Sequence, residues 1–155
     1  MPRLERLPEA NRKNLLNLPV QVNHGGPFLR LAKPLSACRV AIVTTAGMHR
    51  RGDQPFGPGD QGFRVIPAAT PIDEIIQSHT SIGFDRTPTM RDVNISLPVD
   101  RLGELAARGE IGVAPNHYSF MGALRETAGI ERETGPEVAR RLTADGADVA
   151  LITPT

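Results

Sequence analysis

Two hydroxyl-rich segments, Thr44–His49 and Thr153–Thr155, each follow an apolar run. If those runs form parallel strands, ligands are expected outside their carboxyl ends. Hydroxyls and backbone amides in such a segment can bind an anion or a carboxylate. The alternative for the first segment is a plain strand-to-loop turn, in which Gly47 supplies a permissive backbone. Neither segment has the glycine pattern of a dinucleotide site or of a phosphate-binding P-loop.

The titratable side chains do not have the spacing of a metal site. Four histidines are spread along the chain without the i, i+4 or His-x-His pattern of ligand pairs; they are His24, His49, His79 and His117. A single histidine of this kind is more often a hydrogen-bonding loop residue than a ligand. We therefore predict no bound metal.

The sequence also lacks a recognisable nucleophile. Cys38 has no Cys-x-x-Cys partner, and its neighbour Arg39 would depress the thiol pKa only slightly. Ser119 does not lie in the Gly-x-Ser-x-Gly turn of hydrolases. We expect Cys38 to be a small buried residue. We expect Tyr118, which directly precedes Ser119, to be an apolar anchor.

Strands and helices alternate from residue 39 onward, which positions these segments. The apolar and alternating patterns predict strands over 39–45, 93–97, 111–114 and 148–152, and the first and last of these strands are expected to be buried. Residues 48–71 are predicted to form a long irregular loop that contains a short edge strand at 63–66. Helices are predicted from about 100 to 108 and from 134 to 146.

The helix ends carry clear signals. Asp100 can cap the first helix and Gly109 can stop it. Thr134–Glu137 has the form of a capping box with Pro136 in its first turn, and Gly146 can close that helix. Strands that alternate with helices of this length predict βαβ units, so the fold class is α/β.

Length and composition describe one ordinary folded domain. The chain has 155 residues, of which 39% are hydrophobic and 23% charged, as in globular rather than disordered proteins. It has no apolar run of roughly 18 residues and no apolar segment near its N terminus, so we predict neither a membrane span nor a secretory signal. The single cysteine excludes an internal disulfide and favours a reducing, cytoplasmic compartment.

The formal net charge of +1 hides an asymmetry. Nine basic and two acidic side chains occur through Arg51, whereas nine basic and fifteen acidic ones follow from Gly52. The basic residues are scattered singly, aromatic residues make up 4% of the chain, and no nucleic-acid-binding motif is present. We therefore predict no nucleic-acid partner, and we expect the basic leader to lie against an acidic body or a partner subunit.

These patterns predict an irregular leader over residues 1–35 and a single α/β domain over residues 36–155. The predicted architecture is an open, mainly parallel sheet with helices on both faces, a three-layer arrangement of the Rossmann or flavodoxin kind.

Several ordered motifs resemble the selenoprotein B family of glycine, sarcosine, betaine and D-proline reductases. The resemblance covers about residues 33–155, and it is carried by Ala41–His49, Phe63–Pro67, Ser78–His79, Asp92-x-Asn94, Pro98–Leu105, Gly109–Gly112, Tyr118–Gly122 and Thr134–Leu142. Within that family, the compact size is closer to the small subunits of the D-proline reductase branch than to the longer glycine reductase subunits.

The resemblance implies reductive cleavage of a C–N bond in an amino acid or its N-methylated derivative. In the family, the substrate amine is held on a pyruvoyl group of a partner subunit. A selenocysteine selenolate, or a cysteine thiolate in relatives, attacks the α-carbon and is regenerated by a thiol reductant protein. A low-pKa selenolate is a strong nucleophile at neutral pH, and a strand end is a suitable place for its charge.

The sequence departs from the family pattern at its last residues. The family's selenocysteine or cysteine directly follows a motif similar to Ile152–Thr155, and a second cysteine lies downstream. This sequence stops one residue before that position, so we expect no catalytic residue on this chain. We also expect the chain to be a product cut short at a UGA codon, and its fold to be incomplete at the C-terminal end. A last strand without its following helix would be under-covered.

The resemblance and the strand-end rule together give the residues that we expect to bind or orient substrate: Thr45, Gly47, His49, His79, Asp92 and His117. We expect the chain alone to be inactive and to carry no cofactor of its own.

Two other functions remain open from the sequence. One is a non-enzymatic α/β domain that binds a small acid at the same edge. The other is a racemase-like enzyme, which needs two acid/base groups facing one pocket. Its usual two-thiol form is excluded, because Cys38 is the only cysteine.

Overall fold

A computed structural model describes residues 3–17, 26 and 29–154. His24 and Thr155 lie outside the described residues, as does part of the predicted leader. The chain divides into two compact units, Met1–Arg30 and Leu31–Thr155. The first unit contains a 3-10 turn at Leu4–Arg6 and helix α1 at Glu9–Leu16.

The second unit is built on β1, Arg39–Thr44, whose apolar run makes it the central strand. Its partners β5 (Gly112–Val113), β6 (Asn116–Phe120) and β7 (Val149–Thr153) are all parallel to it. Val40 pairs with both β5 and β7, and Thr44 pairs with both β6 and β7. Therefore β7 occupies one edge of β1, while β5 and β6 follow each other along the other edge.

The remaining strands make the architecture mixed. β3, Phe63–Pro67, pairs antiparallel with β6 at the outer edge of the sheet. β2 (Met48–Arg50) and β4 (Ile75–Gln77) form a separate antiparallel pair. The α/β class predicted from the sequence is confirmed, but this small, mixed sheet does not confirm an open, mainly parallel Rossmann-like arrangement.

Helices pack on the sheet through two apolar clusters. The helices of this unit are α2 (Thr87–Arg91), α3 (Val99–Ala107) and α4 (Gly135–Ala144), which continues a π-helical turn at Ile130–Thr134. Short 3-10 turns occur at Leu35–Ala37, Ile72–Glu74 and Val93–Ile95. Val40 and Ile42 of β1 pack with Leu102 of α3, whereas Tyr118 and Phe120 of β6 pack with Val138 of α4.

The structure bears out several local predictions. β1, the short strand at Gly112–Val113 and the edge strand at Phe63–Pro67 all form. Gly109 and Gly146, which follow α3 and α4, have φ values of +72° and +68°, as expected for residues that end helices.

Other predictions were wrong for identifiable reasons. Residues 93–97 do not form a strand, because Asp92 accepts the Asn94 N–H and starts a 3-10 turn. The predicted loop over 48–71 contains β2 as well as β3.

The two predicted N-caps have different outcomes. Asp100 lies inside the first turn of α3, whose N-cap is Pro98. Thr134 occupies the N-cap position of α4 as predicted, but its backbone is already helical and its hydroxyl donates to Gln61 O at 2.7 Å instead of bonding to the helix.

The last strand is less buried than its apolar sequence predicted. Leu151 and Ile152 of β7 are 38% and 58% exposed. β7 pairs on one side only among the described strands, so the interpretation of Val149–Ile152 as fully buried was wrong, and the expectation of an under-covered strand agrees with the structure. In the described ranges, none of the helices has the length and apolar character needed to cross a membrane.

Candidate functional site

The carboxyl ends of β1 and β6 meet a third segment that begins with β4. After β1 the chain turns through Gly47, which has φ +64°. Its N–H donates to Phe120 O and its carbonyl accepts from the N–H of Ser78, both at 2.9 Å. A Cβ at position 47 would lie 2.9 Å from the backbone nitrogen of His79. The approach of these segments thus requires glycine here.

His79 is the most unusual polar side chain at this edge. It is 1% exposed, its ring stacks on Phe84 at 4.4 Å, and its Nδ1 accepts the N–H of Ser81 at 3.2 Å. That bond assigns the proton to Nε2, yet the buried Nε2 has no hydrogen-bond partner among the described residues. Burial, and secondarily the charge of Arg86, hold the pKa of His79 below its usual value. His79 is therefore a neutral imidazole with an unused N–H.

Gly122 brings Thr45 and His79 together. A Cβ at position 122 would lie 2.3 Å from the carbonyl oxygen of Thr45 and 3.2 Å from Nε2 of His79. Gly122 has φ +72° and the next residue, Ala123, has φ +48°. Three of the sequence-predicted residues, Thr45, Gly47 and His79, consequently meet at one place.

The end of β7 is fixed at the same edge through the carbonyl of Ser96. That oxygen accepts the hydroxyls of Thr44 at 2.9 Å and Thr153 at 2.8 Å. The Ser96 hydroxyl pairs with Thr89 at 2.7 Å. The backbone N–H of Thr45 donates to Thr153 O at 3.2 Å. Thr45 therefore links the end of β7 to the surroundings of His79.

The other predicted site residues lie elsewhere or have structural bonds. His117 is buried in β6, where its Nδ1 accepts the N–H of Ile42, and burial lowers its pKa to about 4. The ring of His49 is bonded through Nδ1 to Arg50 O. Exposed Asp92 caps its 3-10 turn, and its hydrogen bonds from Asn94 lower the carboxyl pKa.

Cys38 does not join this edge. It lies before β1, at the opposite end of the strand from Thr45, and its buried thiol contacts Pro34 O at 3.4 Å. Among the described residues, no group of three His, Cys, Asp or Glu side chains is arranged to hold a metal ion.

Two cavities border the edge. One, of about 560 Å³, is lined largely by residues that follow His79 and Phe120, including Thr80, Ser81 and Met121. The other, of about 430 Å³, is lined by Met48, Ile75, Ile76, Gln77, Arg86, Thr89, Met90 and Val93. Both are large enough for a small amino acid.

Sequence reasoning missed several residues of this site. Ser96 was placed in a strand, although its carbonyl anchors two strand ends. Ser119, whose hydroxyl accepts the N–H of Met48 at 2.8 Å, has no local signal for that role. Gln77 donates to Ala46 O at 2.9 Å, and its own amide oxygen has no partner among the described residues. Gly122 was visible only as part of the motif Tyr118–Gly122.

Comparison with known proteins identifies two relatives. The chain is 38% identical over 125 residues to the D-proline reductase subunit gamma of Acetoanaerobium sticklandii, a match that covers 79% of this chain and 51% of that protein. It is 25% identical over 127 residues to the sarcosine reductase complex component B subunit beta of Peptoclostridium acidaminophilum, covering 79% of this chain and 29% of the relative.

The chain thus spans about half the length of the first relative and less than a third of the second. No family model matches the sequence, and no solved structure matches it. These two matches support the resemblance drawn from the sequence motifs, and the chain belongs to the selenoprotein B-type reductase family.

Proposed function

We propose that this chain provides the strand-edge part of the active site in a reductase subunit that cleaves the C–N bond of glycine, sarcosine, betaine or D-proline. The observation that carries the proposal is that Thr45 connects the end of β7 with the surroundings of His79. On one side, Thr45 binds the end of β7, after which the family's selenocysteine or cysteine is expected. On the other, its carbonyl lies beside Gly122 and the unused N–H of His79.

The selenol or thiol expected directly after Thr155, together with a pyruvoyl group on a partner subunit, would supply the reductive chemistry. Overall, the C–N bond is replaced by one C–H and one N–H bond, while two thiols of a reductant protein become a disulfide. That exchange balances two electrons and two protons. We propose that the partners are the pyruvoyl-bearing subunit and this dithiol protein, and that the reaction takes place in the cytoplasm.

The residues of this chain would position charge rather than carry out the bond cleavage. A neutral imidazole with a free N–H can donate to a selenolate, a thiolate or a substrate carboxylate, and its donation is stronger in a site from which water is excluded. The Ser96 carbonyl holds the hydroxyls of Thr44 and Thr153, which fixes the direction in which the chain leaves β7.

The position of the nucleophile can be tested at the gene. We expect codon 156 to be UGA or a cysteine codon, followed in frame by a cysteine and a further βα unit. A UAA or UAG codon, with no open frame beyond it, would contradict the proposal. The purified chain should have no reductase activity without a partner subunit and a thiol or selenol, so turnover by the chain alone would also contradict it.

His79→Leu should lower kcat/KM on the order of 100-fold in the reconstituted enzyme, because it removes a preorganised donor from a buried site. His79→Gln keeps an N–H near the position of Nε2 and should retain most of that activity. Steady-state kinetics with D-proline or sarcosine, compared with thermal unfolding of both variants, tests this. Equal activity losses in two equally stable variants would show that the N–H is not used.

A further inference from the structure

We propose that the cavity bordered by Met48, Ile75, Gln77, Arg86, Thr89 and Met90 is the subsite that receives the carboxylate and the aliphatic part of a small amino acid. Arg86 binds the carboxylate, and the apolar side chains contact the carbon atoms. The assignment of this ligand to a reductive reaction rests on the proposed function, whereas the binding itself does not.

Arg86 is available for an anion. Most arginines around the sheet are engaged by carboxylates: Arg50, Arg64, Arg101, Arg108, Arg140 and Arg141 all form ion pairs. Arg86 borders the cavity and forms neither an ion pair nor a side-chain hydrogen bond with the described residues. A guanidinium offers two parallel N–H donors, which match the two oxygens of a carboxylate.

Gln77 supplies a hydrogen-bond acceptor, which complements the donor groups of Arg86. Its amide nitrogen is held by Ala46 O, so the orientation of the side chain is fixed. Its buried oxygen accepts no hydrogen bond from the described residues, and such a group is costly to leave unpaired. Gln77 lines the cavity, and the N–H of an amino acid that reached this oxygen would satisfy it. The cavity thus combines a donor for a carboxylate with an acceptor for the nitrogen.

The apolar wall suits an aliphatic ligand body. Met48 and Ile75 are buried, whereas Met90 is 82% exposed at the rim of the same cavity. Methionine adapts its shape to irregular apolar ligands. An aliphatic ring or an N-methyl group placed against Met90 would remove apolar surface from water on both sides.

Direct contacts connect the cavity with the strand ends around Thr45 and His79. Thr89 of its wall is bonded to Ser96, whose carbonyl holds the end of β7. Met48 of its wall directly follows Gly47, which packs on His79. The charge of Arg86 also contributes to the lowered pKa of His79, so the guanidinium acts on the imidazole. A ligand in the cavity therefore lies beside the groups of the proposed reaction.

Titration of the purified chain with D-proline, followed by NMR or calorimetry, tests the inference. We expect saturable binding that Arg86→Gln weakens at least 10-fold. Arg91→Gln is the matched control, since Arg91 is the last residue of the short helix that Arg86 immediately precedes but does not line the cavity, and it should leave binding unchanged. Pyrrolidine, which lacks the carboxylate, should bind at least 10-fold more weakly than D-proline to the unchanged chain and equally to both variants.

Betaine examines the role of Gln77 separately, because its nitrogen carries no hydrogen. Gln77→Leu should weaken binding of D-proline and sarcosine several-fold and leave betaine binding unchanged.

Several results would overturn the inference: no saturable binding of any of these carboxylates, equal losses for Arg86→Gln and Arg91→Gln, or a loss caused instead by Arg125→Gln, which lines the other cavity. If Arg86→Gln leaves KM unchanged in an active reconstituted enzyme, the subsite is wrong while the proposed function stands. If Arg86-dependent binding is found but codon 156 is UAA or UAG, the subsite stands and the proposed function is wrong.

Discussion

Gly122→Ala should destabilise the chain by about 3 kcal/mol. Position 122 has φ +72°, where a side chain costs about 1–2 kcal/mol. The added methyl would also lie 2.3 Å from Thr45 O. That contact is with backbone at the end of the central strand, so it is relieved only by moving the turn, and forcing extra volume into packed structure costs about 1–3 kcal/mol. Urea unfolding of the variant and the unchanged chain measures the difference.

Gly59→Ala is the matched control for this substitution. Gly59 has a nearly identical φ of +73°, but a Cβ there would meet nothing within 4 Å. It should therefore cost only about 1 kcal/mol, the conformational part. Equal destabilisation by the two substitutions would mean that the packing of Gly122 against Thr45 contributes nothing to stability.

The same pair of variants separates stability from function. The methyl of Gly122→Ala would lie 3.2 Å from Nε2 of His79, which closes the space in front of its N–H. In the reconstituted enzyme, activity should fall even at temperatures where Gly122→Ala is folded, while Gly59→Ala should keep its activity. Full activity of folded Gly122→Ala would contradict the role proposed for His79.

The elements that could be predicted are those whose signals lie within a few residues. β1 forms because Val40–Val43 is apolar without interruption, and α3 ends where Gly109 has positive φ. Residues 93–97 show the limit of this approach. Their alternation matches a strand, but the Asp92 carboxylate binds the N–H of Asn94 two residues later, and this local bond decides the conformation.

β6 was missed because two of its buried residues are polar. His117 and Ser119 face inward, and each accepts a backbone N–H, from Ile42 and Met48 respectively. Buried polar side chains are tolerated when they are bonded in this way, and the bonding partners lie more than 70 positions away in the sequence. No periodicity in residues 116–120 reports such a partner.

The candidate site was predictable to a similar extent. Thr45 and Gly47 follow from the rule that ligands bind at the carboxyl ends of parallel strands, and His79 followed from the family resemblance. Gln77 and Arg86 carry no sequence signal. Gln77 is of interest because its amide oxygen has no hydrogen-bond partner among the described residues, and both residues are of interest because they line the same cavity. Those properties exist only after the chain has folded.

Acidification from pH 7.5 to pH 5 should reduce the free energy of unfolding through His117. Burial lowers the pKa of this imidazole from 6.5 to about 4, so the unfolded chain binds a proton where the folded chain does not. The contribution of His117 to stability is complete above pH 6.5 and is lost as the pH falls towards 4. For such a difference in pKa the loss is about 2 kcal/mol at pH 5. Urea unfolding across this range measures it.

His117→Asn is the variant that isolates this effect. The amide oxygen of asparagine can accept the N–H of Ile42 as Nδ1 does, but it does not titrate. The pH dependence of the variant should be weaker than that of the unchanged chain by about 2 kcal/mol over the same range. Some pH dependence should remain, because burial also lowers the pKa of His79, which acts in the same direction. The carboxylates with lowered pKa values, Asp53 and Asp148 among them, act mainly at lower pH. Identical pH dependences for the two chains would mean that the pKa of His117 is the same in the folded and the unfolded chain. The folded imidazole would then gain a proton below about pH 6.5, which is incompatible with its bond from the Ile42 N–H.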